Sequence, residues 1–284
     1  MSKQPSAVSD QPSASADQPS SISHQQAQEN FGADRQGRGQ GARIGIIAAI
    51  QEEIAPLLQG WDARKIVHDG RAFEYFESGD TDGYRAAAIC SGIGAEHGRR
   101  AAEALIREAK PSKIVSVGYA GALEATLKVG DLVEPRVVVN AGDGSRADTG
   151  DGHGVLLSCA EVADCDQKRR LRSAYGAIAV DMEGASVAQA AQAHGIEFAA
   201  LKSISDTADF AMPPVQRFVG TDGRFRKLAF GVHVAVRPWL WWRTIALARN
   251  SARASRTLCA AIESRLGADR AALRAHCIDP SPTR

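Results

Sequence analysis

Three acidic clusters in this chain follow short apolar runs. Glu52 and Glu53 follow Ile44–Ile50, Asp181 and Glu183 follow Ala177–Val180, and Asp206 lies a few residues beyond Phe198–Leu201. Such runs read as strands buried on both faces. In open α/β sheets, ligands bind beyond the carboxyl ends of the strands. Acids at three such ends can therefore converge on one pocket. Gathered carboxyl groups do general acid–base work, in which one protonates a leaving group, for about a hundredfold to ten-thousandfold in rate, and another directs a nucleophile.

Each acid also has an ordinary role open to it. Asp206 can cap a helix start. Glu183 can be a first-turn acid facing a helix dipole. Of the adjacent Glu52 and Glu53, one is expected to be merely solvated. Met182 suits a core whatever else it does. The seven histidines show no ligand spacing, so no metal is expected.

The elements that must hold these residues can be read from periodicity. Strands are expected over Ile44–Ile50, Phe73–Phe76, Arg85–Cys90, Lys113–Val117, Leu132–Val139, Gly154–Cys159, Ala177–Val180 and Phe198–Leu201. The strand at Lys113–Val117 is expected to end in Gly118-Tyr119-Ala120-Gly121. Helices are expected over Glu52–Leu58, Glu96–Ala109, Lys168–Tyr175 and Gly184–His194. Buried strands alternating with amphipathic helices predict an α/β fold over residues 43–210, a single three-layer domain with a central mixed, mostly buried sheet flanked by helices.

Residues 211–284 read as a C-terminal extension. From Arg237 onward, Trp241, Ile245, Ala248, Ala252, Cys259, Ile262 and Leu266 recur at helical spacing, with Ser255 at the one missing position. That predicts a long basic amphipathic helix, with seven arginines between Arg237 and Arg270 against Glu263 and Asp269. The last dozen residues are expected to fray. Residues 1–42 are rich in Ser, Gln, Pro, Ala and Gly, a composition that predicts a disordered tail.

The bulk numbers exclude several classes. The 284 residues carry 34 basic and 33 acidic side chains, a balance that argues against nucleic-acid binding. Cys90, Cys159, Cys165, Cys259 and Cys277 form no CxxC pair and suit reduced thiols in a cytoplasmic protein. No secretory leader and no membrane-spanning run is expected.

Five segments carry a family resemblance: Ile44-Gly45-Ile46-Ile47 with Glu52-Glu53, Gly118-Tyr119-Ala120-Gly121, Leu127-Lys128-Val129-Gly130-Asp131, Ala179-Val180-Asp181-Met182-Glu183, and Ser203-Ile204-Ser205-Asp206. With these, the run from Arg43 to about Phe210 resembles the nucleoside phosphorylase family, above all its methylthioadenosine/S-adenosylhomocysteine nucleosidases. The last two segments, in this order and spacing, are the specific ones.

The resemblance implies cleavage of the N-glycosidic bond of a 5′-substituted adenine nucleoside. Asp206 would protonate or hydrogen-bond N7 of the base, with Ser205 beside it. Glu183 would hold the ribose hydroxyls over Met182. Glu53, the acid directly before Ile54, would orient or activate the nucleophile. Gly118 and Gly121 would approach the nucleophile by their backbone. No cofactor is implied, beyond inorganic phosphate as a co-substrate if the enzyme is a phosphorylase. Assembly as a homodimer is implied as well.

Some residues depart from the family pattern. Lys202 stands where an arginine is usual beside the nucleophile and Tyr119 where a small hydroxyl residue is usual, while Asp181 replaces a glutamate. The stretch Glu134–Ala163 is short, with Val162 and Ala163 where an aromatic residue would stack on the base. The short middle, the Ala211-Met212-Pro213-Pro214 segment and the basic helix also resemble the hopanoid-associated phosphorylases, which are linked to cleaving adenine from adenosylhopane. Trp239, Trp241 and Trp242 among arginines then suit peripheral membrane contact through residues 237–266. Packing on the domain or across a dimer is the other reading of those tryptophans. A nucleoside-binding module without catalysis also remains open.

Overall fold

The computed structural model describes residues 43–79 and 85–278. The tail expected over 1–42 lies outside them. The strands are β1 (Arg43–Ala48), β2 (Asp62–His68), β3 (Arg71–Glu77), β4 (Arg85–Cys90), β5 (Lys113–Ala122), β6 (Leu132–Val133), β7 (Val137–Asn140), β8 (Arg146–Asp148), β9 (Val155–Ser158), β10 (Ala179–Asp181) and β11 (Glu197–Asp206). The helices are α1 (Gln51–Ile54), α2 (Ala95–Ala109), α3 (Cys165–Tyr175), α4 (Gly184–Ala193), α5 (Lys227–Ala235) and α6 (Pro238–Ile278), with a 3-10 turn at Val215–Phe218.

Alternation along the central strands separates two cores. In β1, Ile46 and Ala48 point to one face and Ile47 to the other; in β4, Ala86 and Ala88 oppose Ala87 and Ile89. This is the period-two pattern of a strand, here apolar on both faces. The face of Ile47 is covered by α2 and α4, through Leu105, Val187 and Ala191. The face of Ile46 is covered by α1 and α6, through Ile54, Leu258, Cys259, Ile262 and Leu266. The result is the three-layer α/β domain expected, with a mixed sheet.

The sheet runs in the order β2-β3-β4-β1-β5-β10-β9-β7-β8, with β11 beside β5 and β6 beside β11. Strands β1, β5 and β11 are parallel, so their carboxyl ends share one edge. Strand β10 runs antiparallel to β5, with Val180 opposite Gly121, which brings the residues after β10 to the same place.

Several expectations need correction. Strands β5 and β11 continue through Ala122 and Asp206, past the ends expected at Val117 and Leu201. The stretch Leu132–Val139 divides into β6 and β7, and β2 and β8 were not foreseen. Only Ile66 is buried in β2, an edge strand with no apolar alternation to read. The apolar run into Leu58 is helical only over Gln51–Ile54. Helix α6 continues to Ile278. Its expected apolar stripe holds only at Cys259, Ile262 and Leu266. Trp241, Ile245, Ala248 and Ala252 face solvent, Ser255 within the stripe is buried, and Leu240, Ala254 and Leu258 outside it are buried instead.

Candidate active site

Glu53 reaches its position because α1 is a single turn immediately after β1. Its carboxylate folds back to accept the backbone N–H groups of Ala49 at 2.8 Å and Ile50 at 3.2 Å, and on its other oxygen that of Tyr119 at 2.9 Å. Burial pushes its pKa up, against the Tyr119 N–H and the charge of Lys202. Glu52 turns outward to an ion pair with Lys227.

Gly118 is explained by Glu53. A Cβ there would lie 2.7 Å from the Glu53 carboxylate, and φ is +137°, a conformation that side chains resist. The glycine therefore makes room for the acid. Gly118 lies against the Glu53 carboxylate.

Glu183 opens α4 but makes no side-chain cap there. Its carboxylate instead accepts the N–H of Gly94 at 2.7 Å, at the start of α2. Burial first, then the neighbouring Asp181, pushes its pKa up to about 8, against the pull of Lys202 and the Gly94 N–H. Asp181 accepts from Ser158 Oγ at 2.5 Å and from Gly184 N at 3.0 Å.

Lys202 is wholly buried beneath these acids. Its Nζ contacts Asp181 at 2.9 Å and donates to Ser116 Oγ at 3.0 Å and the Val117 carbonyl at 3.3 Å. Burial works against its charge, but Asp181, Glu183 and Glu53 outweigh it and raise its pKa. All three donors of the ammonium are engaged. Lys202 is thus a buried counter-charge for the acids.

Ser205 and Asp206 both face the cavity, although neighbours in a regular strand point to opposite faces. A bulge explains this. The β11–β5 register steps from Ile204–Ala120 directly to Asp206–Gly121, leaving Ser205 unpaired, and a bulge re-aims side chains. Ser205 Oγ donates to Asp206 Oδ1 at 2.7 Å. Asp206 Oδ2 accepts from Lys168 Nζ, and the same ammonium donates to the Thr207 carbonyl at 2.7 Å. A Cβ on Gly121 would come within 2.9 Å of Asp206 Oδ2 and 3.2 Å of Lys168 Cε, so this glycine admits the ion pair. No helix begins after Asp206, which removes the capping alternative.

Glu53, Asp181, Glu183 and Asp206 line one cavity of about 300 Å³, together with Met182, Val162, Gly121 and Ser205. Sequence reasoning missed Lys168, which lines it from the first turns of α3. The signal was its place three and seven residues before Leu171 and Tyr175, on the face of α3 turned inward. It also missed the apolar lining from later in the chain: Met212, Val215, Val219, Phe225 and Leu247. Gln216 holds this segment against Val162 by accepting its N–H at 3.3 Å, so wall left out of the short middle is supplied from beyond residue 210. Elsewhere, His68, Asp69 and Glu103 bring one potential ligand atom each within 4.8 Å of one another, a grouping across two elements that sequence spacing does not reveal.

Comparisons with known proteins identify the family and the fold. The phosphorylase superfamily profile matches residues 43–166 and 154–234. A futalosine hydrolase mutant of Helicobacter pylori strain 26695 is 29% identical, with TM-score 0.52, over 59% of this chain and 89% of that one. A 5′-methylthioadenosine/S-adenosylhomocysteine nucleosidase from Colwellia psychrerythraea 34H, in complex with adenine, is 26% identical with TM-score 0.53, over 60% and 84%. The corresponding Helicobacter pylori nucleosidase is 25% identical with TM-score 0.58, over 79% and 100%.

Proposed function

The chain belongs to the phosphorylase superfamily, and from that premise we propose that it cleaves the N-glycosidic bond of a 5′-substituted purine nucleoside, with adenine as the base, by attack of water. The convergence of Glu53, Glu183 and Asp206 on one cavity carries this reading. Breaking the bond places positive charge on the ribose and negative charge on the base. Asp206 faces the base, Glu183 steadies the ribose, and Glu53 directs the nucleophile. Met182 packs against the sugar.

Water is favoured over phosphate by the surroundings of Glu53. The N–H groups of Ala49, Ile50 and Tyr119 already serve a carboxylate, and Lys202 is held by Asp181. Neither the donors nor the cation that an anionic co-substrate needs is free there. Incubating the protein with methylthioadenosine, with and without phosphate, tests the reading; free adenine is expected in both.

The apolar lining of Met212, Val215, Val219, Phe225 and Leu247 favours an apolar 5′ group, long enough in one form to be a lipid. A surface observation supports the lipid form. Leu228, Val232, Val236, Trp239, Trp241, Trp242 and Ile245 are exposed, with Trp242 at 77% and Leu228 at 88%. Trp241 is half-exposed and donates its indole N–H to the Val234 carbonyl at 3.0 Å, whereas Trp239 and Trp242 are mostly exposed. Phe218 meets Phe230 and His233 edge-on, and Phe225 meets Phe230 at a tilt, holding α5 to the segment that lines the cavity. From residue 211 to 262 the sequence has eight arginines and one lysine against Asp222, complementary to an anionic leaflet at about 1 kcal/mol per basic residue.

We propose that this patch rests on an anionic membrane surface. No helix among the described residues is long and apolar enough to cross one. Co-sedimentation with phosphatidylglycerol vesicles should occur and be lost in Trp239→Ser/Trp242→Ser. Protein that stays in the supernatant contradicts it, and a dimer that dissociates on the same substitutions assigns the patch to a second copy.

A further inference from the structure

Glycosidic cleavage needs a proton at the departing base, and Asp206 is not arranged to carry one of its own. Both of its oxygens act as acceptors, Oδ1 from Ser205 and Oδ2 from the Lys168 ammonium, which is the bonding of an ionised carboxylate. Lys168 is 1% exposed. A lysine is almost never so buried unless its charge is answered, and here the answering group is the acid of the site. An ammonium has three N–H donors; Asp206 and the Thr207 carbonyl take two of them. Lys168 also lines the cavity, so the ion pair sits at the wall that a bound base would meet.

We infer that the acid serving the leaving base is the Lys168–Asp206 pair, with Lys168 the positioning residue that supplies the proton Asp206 delivers. The inference rests on the glycosidic-cleavage reading. As the C1′–N9 bond breaks, its electron pair moves into the base. Asp206 passes a proton to N7 and takes one from Lys168 Nζ, leaving a neutral amine beside the restored carboxylate. The water oxygen bonds to C1′ and gives its proton to Glu53. Glu53 then loses that proton to solvent, Lys168 regains one, and the cycle closes with no net change in the enzyme.

The pair also has a purely structural interpretation, in which Lys168 only neutralises a buried acid. Leaving-group dependence separates the two. Lys168→Met should lower purine release by about a hundredfold or more, while release of 4-nitrophenolate from 4-nitrophenyl riboside, which departs as a stable anion, should change by less than about threefold. An equal loss on both substrates, or no loss on either, overturns the inference. Lys168→Arg guards against misfolding, because it keeps the charge but holds its proton at every working pH. Purine release should fall roughly tenfold or more in this variant, with the fold retained by circular dichroism. Full purine release by Lys168→Arg overturns proton supply and leaves charge alone. Wild-type protein that releases no base overturns the glycosidic reading together with the pair, whereas wild-type turnover unaffected by either variant overturns the pair alone.

Discussion

At the scale of single residues, the site is a set of buried charges that answer one another. Lys202 lies under Asp181, Glu183 and Glu53, and Lys168 lies against Asp206. The acids were legible in the sequence because each follows an apolar run. The lysines' roles were not, since lysine reads by default as a solvated residue and only a three-dimensional count of charges shows otherwise. The bulge that turns Ser205 and Asp206 the same way was also hidden, because it is a register shift against β5 and not a local pattern.

Glu183 gives a prediction at this scale. Its pKa is raised from an ordinary 4.5 to about 8 in the folded protein, so the folded state binds its proton more tightly than the unfolded chain. The resulting stability is complete below about pH 4.5 and is lost as pH rises through 8. The wild-type Tm should therefore fall across that window for this reason, and Glu183→Gln should flatten the fall. A Tm profile of the same slope in both proteins contradicts the assignment.

At the scale of elements, the C-terminal helix is half core and half surface. Its later turns place Leu258, Cys259, Ile262 and Leu266 against β1, β4 and β11, while its first turns expose three tryptophans. Helical spacing alone foresaw a single stripe, because it does not record that a long helix changes neighbours along its length. Ser255, the apparent gap in that stripe, is buried and donates to the Glu53 carbonyl at 3.0 Å, beside Cys259 Sγ at 3.6 Å. The helix thus anchors the turn that aims Glu53. Ser255→Ala should destabilise by about 1–3 kcal/mol, the cost of a buried acceptor losing its partner, and should lower kcat roughly tenfold through misplacement of Glu53. Denaturant unfolding and steady-state kinetics measure the two effects. A stability loss with unchanged kcat would mean that the helix does not set the position of Glu53.

At the scale of the whole molecule, the three-layer architecture was legible because β1 and β4 are apolar on both faces and α2 on one, while α4 is rich in small apolar residues and buried almost all round. What escaped was the part of the cavity assembled from beyond residue 210. Met212, Val215, Val219 and Phe225 lie in segments with little regular structure, where no period announces a common wall. Their apolar character, in a chain whose middle is short, is the reason to expect a bulky, greasy 5′ group instead of a small polar one.

The central claim is that three converging carboxyl groups break a glycosidic bond to purine with water as the nucleophile. Its most direct test is the time course of free adenine and free sugar from methylthioadenosine in phosphate-free buffer, for the wild type and Asp206→Asn. Steady, equimolar release is expected from the wild type, and a rate lower by about a hundredfold to ten-thousandfold in the variant. Nucleoside bound by the wild type without release of base, or undiminished release by Asp206→Asn, would contradict it.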